Sequence, residues 1–360
     1  KSKGIFKSVD TKFNDVKNDN FNKEIDITVE EKPTGEIYAG VGTGTSGSSI
    51  AFGVKENNYI GKGIILDTNL YLSEEEIKGK FSVENPNFRN SDRNLRTTIE
   101  STSTDLMSSS GFKTTRTGFV LGTSFEQYND LFLTFESSNY YENLETSSIA
   151  SATKKKQEGD YFENLFTYGI TLNKLNQNFK PTDGYISKFV QTLPIYSDDW
   201  SIENRFDYSK FYPFENNSLI FSTSLFAKSI TSLDGDVRAS KRIYIPGKKL
   251  RGFERGKIGP KDGTEFIGGN YATALNFNAN LPNLFRDFEN FEFNIFFDAA
   301  NLWSVDYDSS LDSNKIRSST GIAIDWFTPV GPLSFSYAIP ITDDSTDITE
   351  SFRFQLGTTF

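Results

Sequence analysis

The sequence predicts an all-β protein, a transmembrane antiparallel β-barrel of about sixteen strands, and three observations carry that prediction. Segment after segment alternates with period two. In "FRFQLGTTF", Phe352, Phe354, Leu356, Thr358 and Phe360 share one face, and Arg353, Gln355, Gly357 and Thr359 the other. "FEFNIFFDAANLW" sets Phe291, Phe293, Ile295 and Phe297 against Glu292, Asn294, Phe296 and Asp298, and "YATALNFNANLP" sets Tyr271, Leu275 and Phe277 against Asn276 and Asn278. The segments are also long, about 9 to 14 residues, which fits a tilted bilayer-crossing strand rather than the five or six typical of soluble sheets. Aromatic residues sit at segment ends, as Trp303, Trp326, Phe327 and Phe360 do, where an interfacial girdle lies. Connections read as alternating between tight ("FYPFENNS", "TPVGPL") and long polar ("ETSSIASATKKKQEGD"), as periplasmic turns and outer loops do.

Composition narrows the functions. With 38 Lys plus Arg against 48 Asp plus Glu, the net charge is −10, which argues against nucleic acid as a partner. Cys and His are both absent, so disulfides, thiolate or imidazole metal sites and His-dependent triads are excluded. The expectation is no enzyme, no metal and no cofactor. No apolar run exceeds three residues, so helical spans are out, while aromatics at 15% supply an oily face for strands. Lys1 leads straight into charged sequence, which reads as a mature or truncated chain.

Taken in order, residues 1–33 form two strands, "GIFKSVDTKF" and "FNKEIDITVEEKP", around the turn-like "NDVKNDN", closed by Pro33 and Gly35. Two strands make no stable domain alone, so they read as the tail of a larger soluble module. The barrel occupies 34–360. Its alternating segments lie near 35–43, 63–72, 76–85, 93–102, 113–126, 130–140, 161–174, 184–193, 200–213, 217–230, 235–245, 269–281, 290–303, 315–327, 332–340 and 350–360. An even number suits a bacterial outer-membrane barrel with both termini on the periplasmic side.

The chain resembles the BamA-type insertases of the bacterial outer membrane over essentially its whole length. "GIFKSV" and "VEEKPTGEI" resemble the end of a periplasmic POTRA repeat and its exit into the barrel. "GVKENNYIGKG" is similar to the family's segment after the first barrel strand, and "NKLNQNFKPTDGY" to its mid-barrel turn. "LRGFERGKIGP" resembles the Arg-Gly-Phe motif of the long sixth extracellular loop, here 236–268, with "IGGN", "FFDAANLW" and "GIAIDWFTPVGPLSFSYAIP" following in family order. The resemblance implies that this loop folds into the lumen and that Arg251 reaches a wall carboxylate, Asp298. Asp298 shares the polar parity of Glu292 and Asn294 and should point inward. Gly252 would give the step its backbone freedom and Phe253 would wedge the loop against the wall. Where relatives often carry a second acidic residue, this chain has Asn278, so the guanidinium leans on Asp298. A paired-carboxylate reading of Asp298 with Glu292 or Asp306 fails on distance, roughly 20 Å or more along an extended strand.

The first strand carries Gly35, Gly40, Gly42 and Gly44, which weakens its pairing with the last, where Phe352, Phe354 and Phe360 lie. A seam closed so weakly can open and offer its unpaired backbone to an incoming strand. The implied function is a Gram-negative outer-membrane insertase that templates client strands at this lateral gate, with its N-terminal part in the periplasm. Unfolded barrel clients, accessory outer-membrane lipoproteins and the bilayer are its partners. The rival readings are a related POTRA-barrel secretion transporter and, further off, a passive porin.

Overall fold

In the computed structural model the described residues are 5–16, 19–45, 47–148, 150–214, 219–281, 290–312, 314–328 and 331–357. Alternation with period two becomes sixteen antiparallel strands that close on themselves. They are β1 (Gly35–Gly44), β2 (Gly47–Tyr59), β3 (Ile64–Ser73), β4 (Glu76–Asn85), β5 (Asn94–Leu106), β6 (Phe112–Tyr128), β7 (Leu131–Thr146) and β8 (Gly159–Asn173). The second half comprises β9 (Gly184–Ser197), β10 (Ser201–Phe214), β11 (Leu219–Ser232), β12 (Tyr271–Leu281), β13 (Phe291–Trp303), β14 (Arg317–Thr328), β15 (Gly331–Thr342) and β16 (Phe352–Leu356). Each strand pairs with its chain neighbours, and β16 returns to β1.

The polarity is inside out. Val41, Ile50, Phe119, Phe221, Ile295 and Phe352 stand exposed on the outer face, whereas Glu163, Asp298 and Ser319 on the wall are fully buried. An apolar belt of that extent is tolerable only against lipid, and closure gives every barrel strand two neighbours. Aromatic pairs mark the ends of the belt. Phe291 stacks on Trp326 at 4.9 Å and Tyr271 meets Trp303 at 5.8 Å, at opposite ends of β13. Twelve residue steps separate Phe291 from Trp303. At about 3.3 Å per step and a tilt near 40° they rise about 30 Å, a hydrocarbon thickness.

Two strand assignments from the sequence are corrected, and they offset each other in the total. Residues 235–245 are not a strand: they lie in the long 233–270 connection, with a single 3-10 turn at Ala239–Lys241. The alternation of Ile243 and Ile245 that suggested a strand buries both inside the barrel. The missed strand is β2, because its inward positions Ala51 and Gly53 are small rather than polar, which blurs the pattern of Ile50, Phe52 and Val54. Gly53 has to be small: a Cβ there would lie 2.1 Å from the Tyr38 ring. The last barrel strand also starts later than 350, at Phe352, since Thr349 and Glu350 pair with Phe253 and Gly252 of the long connection. Connection length does not sort the two ends cleanly either. Residues 74–75 and 198–200 are tight at one end, while 174–183 is long at the other.

The lumen is not uniformly wet. Val237, Ile243, Leu250, Phe253 and Ile258 of the 233–270 connection pack on Phe226, Ile230, Ala272 and Leu302 of β11 to β13, a small apolar core inside the barrel. At about 1.5–3 kcal/mol per fully buried large side chain, this core holds the connection in place independently of any ion pair. Phe6–Val16 and Asp19–Glu31 pair as a separate two-stranded antiparallel sheet, whose Phe13, Ile25, Ile27 and Val29 are exposed.

Candidate functional site

The site is built from the β1–β16 seam and the long connection inside the lumen. Among the described residues the seam ladder is two residue pairs long, Gln355 with Gly44 and Leu356 with Thr43, extended by the Thr45 N–H donating to the Phe354 carbonyl at 3.1 Å. The neighbouring β1–β2 ladder runs from Gly35 to Gly44 without interruption. Close approach at the seam depends on glycine at Gly44, where a Cβ would sit 2.5 Å from the Phe354 carbonyl oxygen, whereas one on Gly42 would meet the Leu356 carbonyl at 3.4 Å and, across β2, Ser49 Oγ at 2.9 Å. Gly40 pairs with Ala51 and Gly35 with Glu56, both across β2, so the structure does not bring them to β16. Phe352 and Phe354 pair with Tyr337 and Phe335 of β15. Phe360 lies outside the described residues.

Inside, four donors converge on Asp298. Arg251 gives it Nε at 2.7 Å, Nη2 at 2.7 Å and its backbone N–H at 3.1 Å, and Asn276 gives Nδ2 at 2.8 Å. Arg251 Nη2 also donates to Asn278 Oδ1 at 2.9 Å, so an amide oxygen stands where a second carboxylate was considered. The guanidinium carbon lies over the Phe296 ring, 3.4 Å from its centroid, so one side chain combines a two-point fork with a cation–π contact that a lysine could not reproduce. Gly252 has φ +89° and is wedged between Ser319 and Ala338, and Phe253 is buried. Asn276, Phe296 and Ser319, whose hydroxyl donates to the Arg251 carbonyl, were not singled out from the sequence. Their inward parity on β12, β13 and β14 was the available signal.

Three further anchors hold the connection. On one side Arg238 reaches Glu163 at 2.5 Å and Glu142 at 3.5 Å, Lys241 pairs with Glu163 and with Asp199 at 3.3 Å, and Arg116 reaches Glu163 at 3.1 Å. This cluster around the fully buried Glu163 is why residues 235–245 leave the sheet: their cations are consumed by wall carboxylates. On the other side Arg242 pairs with Asp306, which also accepts the Val237 N–H. Burial pushes Asp306 up, but the Val237 N–H, the Arg242 guanidinium and the Asn270 amide outweigh it and hold the carboxyl below the usual aspartate value. Burial pushes the Lys249 ammonium below its ordinary range. The third anchor ties in the β15–β16 loop: Arg317 and Asp347, both fully buried, make a two-point pair, and Ile348 exchanges backbone hydrogen bonds with Glu254 and Lys257.

A strap crosses the opposite end. Residues 174–183, between β8 and β9, carry Lys180 at φ +50°, and its Nζ meets Glu292 of β13 at 2.6 Å and the Phe327 ring of β14 at 3.8 Å. Gly184 closes the strap at φ +93°, where a Cβ would collide with the Lys174 carbonyl. Above the strap lies a cavity of about 980 Å³ bordered by Lys180, Arg251, Asn278 and Asp325. A second, of about 890 Å³, flanks the seam at Gly42, Gly44, Lys78 and Tyr244. Gly247, Lys248, Arg353 and Gln355 border both. No cluster of potential metal ligands occurs among the described residues.

A closed sixteen-stranded barrel with an inward-folded Arg-Gly-Phe connection can now be compared with known proteins. The sequence profile of the Omp85 superfamily domain matches residues 58–360. The chain belongs to the Omp85 superfamily. It is 23% identical to outer membrane protein assembly factor BamA of Nitratidesulfovibrio vulgaris, over 94% of this chain and 43% of that protein. It is 23% identical to BamA of Neorickettsia risticii, over 95% of this chain and 47% of that one. It thus spans less than half the length of these relatives. The crystal structure of Haemophilus ducreyi BamA lacking POTRA domains 1–3 superposes with a TM-score of 0.92 at 24% identity, covering 100% of this chain and 76% of that one. CdiB from Acinetobacter baumannii gives 0.61 at 11%, covering 98% of this chain and 66% of that one. The Omp85 fold and an outer-membrane location follow.

Proposed function

We propose that this Omp85 chain is the barrel portion of an outer-membrane protein assembly factor. It folds and inserts β-barrel clients by templating their strands at the β1–β16 seam. The observation that carries the reading is the seam itself: among the described residues it is a two-pair ladder, in a barrel whose β1–β2 ladder spans ten residues. Parting it costs little, and each parted edge presents unpaired N–H and C=O groups that an incoming strand satisfies by β-augmentation. The similarity to proteins named BamA supports the same reading. In this proposal residues 5–31 are the end of a POTRA repeat on the periplasmic side, and accessory lipoproteins join the complete protein. A secretion route or open pore is disfavoured because the lumen holds a connection fixed by an apolar core and by its ion pairs to Glu163, Asp298 and Asp306.

These 360 residues contain no cysteine, so within the barrel an introduced pair is unique. Thr43→Cys with Leu356→Cys locks the seam, and full-length protein in liposomes is then assayed for the folding rate of an unfolded barrel client. Oxidised barrels should lose the acceleration and reduced ones regain it. Equal rates in both forms refute lateral templating.

A further inference from the structure

We infer that Arg353 on β16 sets how readily the seam parts, by tethering the last strand to the sixth loop from inside the lumen. This rests on the seam reading above and names the residue that regulates it. The alternation of "FRFQL" turns Arg353 inward while Phe352 faces out. There its Nη1 donates to the Gly247 carbonyl at 2.9 Å and its Nη2 to the Phe253 carbonyl at 2.7 Å, both in the connection. Nε and Nη2 both engage Glu350. Glu350 in turn pairs in register with Gly252, and Thr349 with Phe253. One guanidinium therefore joins β16, the two-residue ladder that precedes it and the backbone of the Arg-Gly-Phe step. Gly247 accommodates the approach, since a Cβ there would lie 2.7 Å from Arg353 Nη1.

The comparison of holds decides the matter. Among the described residues, β16 is fastened to β1 by two residue pairs and the Thr45 hydrogen bond. From inside, it is fastened by a fixed cation on two carbonyls of the connection, oriented by Glu350 three residues upstream, and charge-assisted bonds are roughly twice as strong as neutral ones. When β16 swings away from β1, the inner fastening has to break or the sixth loop has to move with it. Movement of the Arg-Gly-Phe step is thereby transmitted to the seam. Arg353 acts as a positioning residue, touching no client itself. It also stands where the two lumenal cavities meet, so its displacement joins the seam-side chamber to the one beneath Arg251.

The test reads the seam directly. Full-length chain carrying Thr43→Cys and Leu356→Cys is equilibrated in vesicles with a glutathione redox buffer, which gives the effective concentration of the two thiols. Arg353→Gln should lower it about tenfold or more, the effect of losing one charge-assisted hydrogen bond. Arg353→Lys, which keeps the charge, should restore part of the loss. A reference pair, Ser101→Cys with Thr117→Cys on the outer face of β5 and β6, should not change. An unchanged seam value, or an equal fall at the reference pair, overturns the inference. Client folding is measured on the same variants without the cysteines. A loosened seam with unaltered client folding leaves Arg353 in its role and refutes the templating reading instead.

Discussion

Asp298→Asn tests the centre of the site in the smallest available step, replacing one carboxylate oxygen by an amide nitrogen without changing volume. Four donors now point at two oxygens: Arg251 Nε and Nη2, the Arg251 N–H and Asn276 Nδ2. An asparagine keeps one acceptor oxygen, so two of these donors face an N–H instead. Two hydrogen bonds involving charged groups, at about 1.5–3 kcal/mol each, amount to about 3–6 kcal/mol. Arg251 retains Asn278 and the Phe296 face and is part-exposed to the lumen, so the lower end, about 3 kcal/mol, is expected. The assay is urea unfolding of the refolded barrel in lipid vesicles, followed by tryptophan fluorescence. It is run as a double-mutant cycle with Arg251→Gln. A coupling energy of about 2 kcal/mol or more between the two positions supports the geometry. Additive effects, with coupling below about 0.5 kcal/mol, refute the claim that this pair holds the loop.

Three further outcomes follow from the anchors. Glu163→Gln removes the shared charged partner of Arg116, Arg238 and Lys241, leaving Glu142 and Asp199 as the carboxylates of the cluster. It should cost about 3 kcal/mol, the lower end for a broken buried pair, seen as a lower temperature for the heat-modifiable gel shift. Asp306 has its folded pKa held below the usual 3.8, so its contribution is full above 3.8 and is lost as pH falls through the lower folded value. The stability gap between wild type and Asp306→Asn should therefore be constant from pH 7 to 5 and close below about pH 3.8; a gap that persists in acid contradicts the Arg242 anchor. Lys180→Ala removes a part-exposed pair worth about 1 kcal/mol, so the 174–183 strap should open about fivefold more often. An Ala323→Cys reporter in the adjacent cavity should then be alkylated correspondingly faster by an impermeant reagent, and an unchanged rate would show that the strap does not close that mouth.

Much of this was legible in the chain because strand periodicity is a local property. A residue's parity fixes which face it takes, and so Asp298, Asn278 and Arg353 could be assigned to the interior from "FEFNIFFDAANLW", "YATALNFNANLP" and "FRFQLGTTF" alone. Parity fails where inward residues are small, as at Ala51 and Gly53, and where alternation occurs in a segment whose cations are claimed elsewhere, as at 235–245. Those two failures share a cause. Alternation reports that one face differs from the other, not what lies opposite it.

The sequence by itself thus determined the class of fold, the inside-out polarity and the membrane span, each set by spacing and side-chain type within a dozen residues. Only the tertiary structure decided which cation meets which carboxylate. Arg238 and Glu163 are separated by 75 residues and Arg353 and Gly247 by 106. Closing the barrel brings such pairs together. The length of the seam ladder is likewise a tertiary quantity, because the register of β16 against β1 depends on all the strands between them and on the loop that holds β16 from within.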